Sequence, residues 1–242
     1  MVQFEVCSNS YDSAFNAQKA GAHRIELCAE LGVGGLTPSF GLIAKVAEEL
    51  DIKINLLVRP RSGDFVFTQS EFDVMMRDIH EAVSIGVNAI VCGVLHADNT
   101  LDIKRTAQLR EACSEIEFTF HRAFDLVQHP HETLDQLASI GVTRILTSGQ
   151  KSTAIEGIEL LTALKDQTQV KIMPGSGINE SNIQTFIARG FDEVHFSGTV
   201  MGASADIEPK IPFISRALIS ETAYATSNLD RLKRIIAAAK SV

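Results

Sequence analysis

Cysteine is scarce in this chain, four in 242 residues, and no two of the four form a CxxC pair. That argues against a disulfide framework and makes the reducing cytoplasm the expected compartment. A zinc site of ordinary spacing is unsupported too, since there is no HExxH beside the missing CxxC. Positive charge is in deficit: 22 Lys and Arg stand against 30 Asp and Glu, a formal net charge of −8. The chain therefore offers no basic footprint for nucleic acid or an anionic membrane. No apolar run approaches the roughly 20 residues of a membrane span. Met1-Val2-Gln3-Phe4-Glu5 begins in strand-like alternation, without the basic and apolar regions of a signal peptide. No low-complexity linker divides the sequence, and 45% hydrophobic residues suffice for a sizeable core.

What is present is a repeat. Gly21-Ala22-His23-Arg24-Ile25, Gly86-Val87-Asn88-Ala89-Ile90, Gly141-Val142-Thr143-Arg144-Ile145 and Gly190-Phe191-Asp192-Glu193-Val194 share one form. A helix-ending glycine followed within three residues by a strand produces it. The helix before Gly86 is the clearest, with Thr68 and Glu71 at capping-box spacing and Phe72, Met75, Met76, Ile79 and Val83 in one apolar stripe. Eight strands are expected, at Val2–Val6, Arg24–Cys28, Lys53–Val58, Ala89–Val94, Glu117–His121, Thr143–Thr147, Val170–Met173 and Glu193–Ser197. Strands alternating with helices pair in parallel through right-handed crossovers. Eight such units over residues 1–242 predict a single α/β domain, a (β/α)8 TIM barrel, with a doubly wound open sheet as the alternative. Residues 197–227 read as a long loop after strand eight, serving as a lid, an interface or a further short helix. Residues 227–241 read as a C-terminal helix capped by Ser227.

Barrel strands bury their outward face under helices, so apolar parity fixes direction. Phe4, Val6, Ile25, Leu27, Ile54, Leu56, Val58, Phe118, Phe120, Val170, Ile172, Val194 and Phe196 face outward. Glu5, Cys7, Arg24, Glu26, Cys28, Asn55, Arg59, Thr119, His121, Lys171, Glu193, His195 and Ser197 then point in. Strands four and six are ambiguous. Arg24, Lys171 and Glu193 lie near strand starts and suit an ion-paired plug at the barrel bottom. Cys7, Glu26, Cys28, Arg59, His121, His195 and Ser197 fall near strand ends, where barrel active sites are built. So many inward polar groups imply either a satisfied network or a ligand site. An apolar interior, as a pure scaffold requires, is not what this list describes.

The loops after the strands add candidates. Arg59-Pro60-Arg61 suits a carboxylate or phosphate gripped by guanidiniums, unless Arg61 simply clasps Asp64. His121 is a candidate general acid or base, with Glu26 or Asp125 orienting it or sharing protons. Pro174-Gly175-Ser176-Gly177 and Ser197-Gly198-Thr199 occupy positions where many barrels bind phosphate through backbone N–H groups, although tight turns would also use these glycines. Arg122, Ser148 and His195 join Arg59, Arg61, Gly175, Gly177, Ser197 and Gly198 in the candidate anion-binding set. Cys7 and Cys28 each follow a Glu-apolar pair and read as equivalent positions on neighbouring strands. They are two small buried hydrophobes or a thiolate pair, the donor type that soft Cu(I) prefers.

Glu5-x-Cys7, Arg24-Ile25-Glu26-Leu27-Cys28, Gly34-Gly35-Leu36-Thr37-Pro38-Ser39, Arg59-Pro60-Arg61-x-Gly63-Asp64-Phe65, Thr119-Phe120-His121-Arg122-Ala123-Phe124-Asp125 and Leu146-Thr147-Ser148-Gly149 occur in this order. In these motifs the sequence resembles the CutC copper homeostasis family, from the first strand to His195 and Ser197. The resemblance implies a cytoplasmic (β/α)8 barrel associated with copper, and the family's copper-linked cysteines match Cys7 and Cys28 by motif. Two positions depart from the family pattern. Phe67 stands where a tyrosine is frequent, and Ser176 interrupts a common triple glycine. The expected function is copper homeostasis with Cu(I) on the cysteine pair, in a homo-oligomer that binds neither nucleic acid nor membrane. The alternative is a barrel enzyme acting on a phosphate- or carboxylate-bearing small molecule through Glu26, His121 and Asp125.

Overall fold

Left-handed glycines end the helices where the repeat places them, Gly21 at φ 86° and Gly86 at φ 90°, each turning the chain into the next strand. The computed structural model describes residues 2–203 and 223–240. Eight barrel strands alternate with helices: β1 Gln3–Ser8, α1 Tyr11–Ala20, β2 Arg24–Leu27, α2 Phe40–Glu49, β3 Lys53–Leu57, α3 Gln69–Ile85, β4 Ala89–Cys92, α4 Ile103–Ala112, β5 Glu117–Phe120, α5 Pro130–Ser139, β6 Arg144–Thr147, α6 Ile158–Gln167, β7 Lys171–Pro174, α7 Ile183–Ala188 and β8 Glu193–Phe196. All neighbouring pairs in the sheet are parallel, in the order β7-β6-β5-β4-β3-β2-β1-β8. A bridge between Gly175 and His195 brings β7 to β8, so the sheet is a nearly closed barrel and not an open one.

The expected outward residues form the main core with the helices: Phe4, Val6, Ile25, Leu27, Ile54, Leu56, Val58, Phe118 and Phe120 are all buried in one cluster. Thr68 and Glu71 make both halves of the capping box. Part of the expected loop 197–227 is an antiparallel pair, β9 Thr199–Ala203 with β10 Ala223–Ser227; residues 204–222 lie outside the described set. The last helix, α8 Leu229–Lys240, starts two residues later than expected. Its cap is Asn228, whose Oδ1 accepts from the Arg231 amide, while Ser227 ends β10 and gives its hydroxyl hydrogen to the Cys7 carbonyl.

Inside the barrel, the lower layer is the ion-paired plug. Glu5 accepts from Arg24 Nε at 2.5 Å and from Asn55 Nδ2 at 2.6 Å. Glu193 pairs with Arg24 at 2.6 Å, with Lys171 at 3.3 Å and with Arg144. Arg144 also reaches Glu117 at 2.9 Å. Burial alone would raise the carboxyls of Glu5 and Glu193. The neighbouring guanidiniums prevail, holding Glu193 at about 2 and Glu5 well below the usual carboxylate range.

Candidate functional site

Above the plug, the strand ends enclose a cavity of about 320 Å³. One side carries Cys7, Glu26 and His195, from β1, β2 and β8; the other carries Arg59, Phe65 and His121, from the ends and loops of β3 and β5. Parity is what sends all of these but the loop residue Phe65 inward, since their sequence neighbours Val6, Leu27, Val58, Phe120 and Phe196 are all committed to the outer core.

The first side is a compact donor cluster. Cys7 Sγ lies 3.3 Å from Glu26 Oε2 and 3.7 Å from Cys28 Sγ. His195 holds Glu5 Oε1 with Nδ1 at 2.9 Å and sits 3.7 Å from Glu26 Oε2 through Nε2. Ligand atoms of Cys7, Glu26 and His195 all lie within 4.8 Å of one another, which is metal-site spacing. Burial opposes the imidazolium, but Glu26, Cys7 and Glu5 around it raise His195 well above its ordinary value. Burial raises Glu26, and the Cys28 contact together with burial raises the Cys7 thiol. The strand register corrects one expectation. Cys7 is opposite Glu26, not Cys28, because β2 is shifted by two residues against β1. Cys28 therefore stands one layer higher, fully buried with Leu57 and Val91, and its thiol reaches Cys7 from behind the cavity wall.

The second side is built differently. Arg59 Nη1 donates to the carbonyls of Val33 at 2.8 Å and Gly35 at 3.1 Å, and Nη2 to that of Gly63 at 2.7 Å. Its guanidinium lies over the Phe65 ring at 4.8 Å. His121 turns Nδ1 to the Ala123 amide at 3.2 Å and tilts against the same Phe65 ring at 4.7 Å. Burial and the nearby Arg59 charge depress His121 to about 3, so the ring is neutral with its proton on Nε2. Arg59 Nε and His121 Nε2 are both buried without a hydrogen-bond partner.

Several sequence candidates are engaged elsewhere. Arg61 ion-pairs with Glu71 at 2.6 Å and Asp64 at 3.0 Å, which is the loop clasp, and does not line the cavity. Asp125 is saturated: its oxygens accept from Thr147, the amides of Ser148 and Gln150, the Ser148 hydroxyl and Arg122. It has no free oxygen for proton transfer and lies off the cavity wall, as does Ser148. Arg122 reaches the cavity rim while holding Asp125 at 2.8 Å. Gly177, Ser197 and Gly198 line the cavity; Gly175 does not, and a Cβ there would sit 2.5 Å from Leu146. Ser176 tolerates φ 83° in that loop and donates its hydroxyl to the Ser152 carbonyl at 2.9 Å. Phe67 is buried under Arg61 and away from the cavity, so the hydroxyl it lacks is not one the cavity would use.

Three participants escaped the sequence reading. Arg144 was hidden by the mixed parity of strand six, yet the repeat carried the signal: Gly-x-x-Arg-Ile occurs at both Arg24 and Arg144. Phe65 joins Arg59 to His121, and its presence in a loop gave no periodicity to find. Arg231, on α8, lines the cavity and holds the Thr199 carbonyl at 2.6 Å; no local pattern announces that contact.

Fold and site together define a (β/α)8 barrel with a polar, metal-capable cavity at the C-terminal ends of its strands. The chain belongs to the CutC family, whose model matches residues 2–200. It is 44% identical over 198 residues to a CutC family protein of Enterobacter sp. strain 638, covering 81% of this chain and 80% of that one. A CutC family protein of Photorhabdus laumondii is also 44% identical, over 200 residues, covering 82% and 81% of the two chains. Among solved structures, the Streptococcus agalactiae CutC protein, which is named for copper homeostasis, superposes with a TM-score of 0.78 at 33% identity, covering 81% of this chain and 99% of that one. Thiamine phosphate pyrophosphorylase from Pyrococcus furiosus shares the fold alone, with a TM-score of 0.61 at 10% identity over 99% of this chain and 96% of that one.

Proposed function

We propose that this chain serves copper homeostasis by binding Cu(I) through Cys7 and Cys28. The observation that carries the reading is the 3.7 Å separation of two free, buried thiols. Two metal–cysteine bonds of about 2.3 Å each span that distance, so one ion reaches both sulfurs without a backbone shift. Thiolates are the donors that soft Cu(I) selects, and Leu57 and Val91 supply an apolar surround. Glu26 Oε2, 3.3 Å from Cys7 Sγ, is placed to receive the thiol proton that a bound metal displaces. Reduced thiols are a requirement of this chemistry, which supports a cytoplasmic location. Exposed Phe40, Met201 and Tyr224 supply apolar surface for a homo-oligomer, to be checked by sedimentation. Anaerobic Cu(I) titration against a competing chelator tests the reading. Tight one-to-one binding that disappears in Cys7→Ser/Cys28→Ser supports it; weak binding unchanged by the double substitution refutes it.

A second reading, an enzyme acting on an anionic small molecule, is favoured by the guanidiniums of Arg59, Arg122 and Arg231 around one cavity. Its acid–base pair is Glu26 with His195, 3.7 Å apart, because Asp125 is saturated and His121 stays neutral.

A further inference from the structure

The sequence holds neither HExxH nor CxxC, so a site for a borderline divalent ion has to be assembled by the fold. Three strands do this. Cys7 comes from β1, Glu26 from β2 and His195 from β8, and all three line the cavity. Strands β2 and β8 flank β1 in the sheet, with Glu26 in register with Cys7 and His195 in register with Glu5. The distances fit a small ion. Tetrahedral metal–ligand bonds of about 2.0–2.3 Å set their ligand atoms about 3.3–3.8 Å apart. Glu26 Oε2 lies 3.3 Å from Cys7 Sγ and 3.7 Å from His195 Nε2. Among the described residues, these three make up the group of Cys, His and carboxylate donors within mutual reach, and Cys28 is not in it.

A supporting layer is also present. His195 commits Nδ1 to Glu5 Oε1 at 2.9 Å, which leaves Nε2 as the nitrogen turned to Glu26. Glu5 is held in turn by Arg24 and Asn55. A carboxylate behind a histidine fixes its ring and tautomer, the arrangement that orients ligands in zinc sites. The donor set selects the ion. One thiolate, one carboxylate and one neutral imidazole carry two negative charges, which a divalent ion cancels and Cu(I) does not. Thiolate and imidazole both suit zinc, whereas Mg(II) and Ca(II) take oxygen ligands. The side chains of Glu26 and His195 keep 8% and 11% exposure, while Cys28 is fully buried, so an ion entering by the cavity meets the mixed set. Three protein ligands leave a fourth position for water or a substrate.

We infer that Cys7, Glu26 and His195 form a binding site for a zinc-type divalent ion, which shares Cys7 with the Cu(I) site proposed above and so competes with it. The site goes beyond the copper reading and does not need it. Loading it uses Glu26 and His195 as ligands, so the metal and the acid–base pair of the second reading exclude one another.

The test uses reduced, metal-free protein titrated anaerobically with Co(II), which stands in for Zn(II) and reports ligand type and geometry by its absorption. One equivalent should give ligand-field bands of tetrahedral strength and a thiolate-to-cobalt charge-transfer band, both displaced by Zn(II). Cys7→Ser should abolish the charge-transfer band, and Cys28→Ser should leave the spectrum unchanged. Glu26→Gln and His195→Gln should each weaken Co(II) and Zn(II) by about tenfold or more. Bound Cu(I) should bleach the cobalt bands by taking Cys7. A wild-type spectrum without the charge-transfer band, or with only weak octahedral bands, overturns the assignment without recourse to any variant. So does a charge-transfer band that survives bound Cu(I), or one that Cys28→Ser removes while its circular dichroism stays native. Failure of Cu(I) to bind at all would sink the copper reading alone, and the cobalt spectrum would still decide this one.

Discussion

Glu5 is the residue on which the two layers of the barrel interior meet, and replacing it by glutamine tests the energetics of both. Its side chain is fully buried and takes three hydrogen bonds, Oε2 from Arg24 and Asn55 and Oε1 from His195 at 2.9 Å. All three partners are donors. Glu5→Gln preserves shape but converts one oxygen into an NH2 group, which must then face either the Arg24–Asn55 pair or His195. It also removes the negative charge shared by Arg24 and His195. Breaking a buried ion pair by removing one partner costs about 3–5 kcal/mol. Arg24 keeps Glu193 at 2.6 Å, so the lower end of that range is expected, about 3 kcal/mol. With a urea m-value of roughly 3 kcal/mol/M, the unfolding midpoint falls by about 1 M. Glu49→Gln, in the half-exposed Lys45–Glu49 pair, is the control and should leave the midpoint unchanged. A Glu5→Gln midpoint indistinguishable from wild type would refute the claim that Glu5, Arg24 and His195 form a buried, mutually dependent network.

Three other outcomes follow from the same geometry. His121 has a folded pKa of about 3, below its ordinary 6.5; the unfolded chain therefore takes up the proton first, and stability is lost as pH falls below 6.5. At pH 5 the loss is about 2 kcal/mol relative to neutral pH, and urea unfolding of His121→Phe should lack that slope. Gly157→Ala would place a Cβ 2.0 Å from the Ser148 carbonyl oxygen and 2.8 Å from Gly149 Cα, and should cost about 3 kcal/mol in the same assay. Asp125→Ala should lower the thermal midpoint by stripping five donors of their acceptor, yet leave Cu(I) affinity unchanged, since Asp125 touches none of the thiol cluster.

Much of this is legible in the sequence, for a physical reason. Strand parity is a strict two-residue rule, so committing Val6, Leu27 and Phe196 to the outer core forces Cys7, Glu26 and His195 inward. What parity does not carry is stagger and reach. It could not say that β2 slides two residues against β1, so that Glu26 and not Cys28 lies opposite Cys7. Nor could it say that Arg61 would turn to Glu71, ten residues away on α3, or that Asp125 would fold back onto the Thr147-Ser148 turn. These contacts depend on where loops cross space, and spacing along the chain holds no record of that. Arg144 differs, because its repeat with Arg24 was visible and only the parity of strand six obscured it.

The interior separates into a layer whose charges are matched and a layer whose charges are not. Below, Arg24, Arg144 and Lys171 meet Glu5, Glu117 and Glu193 in a closed set of ion pairs. Such a set is complete without any ligand, which is what a structural plug requires. Above, His195 bridges Glu5 and Glu26, the Cys7 thiol leans on Glu26, and across the cavity Arg59 donates its hydrogen bonds to backbone carbonyls. Negative and thiol donors gather on one side while the Arg59 guanidinium stands on the other, so the field across the cavity has a direction. On the readings proposed above, a metal ion would take the first side and an anion the second, through different atoms. The proposed copper site and an anion site are therefore separable in test: Cys7→Ser or Cys28→Ser should abolish Cu(I) binding and leave Arg59 and His121 in place.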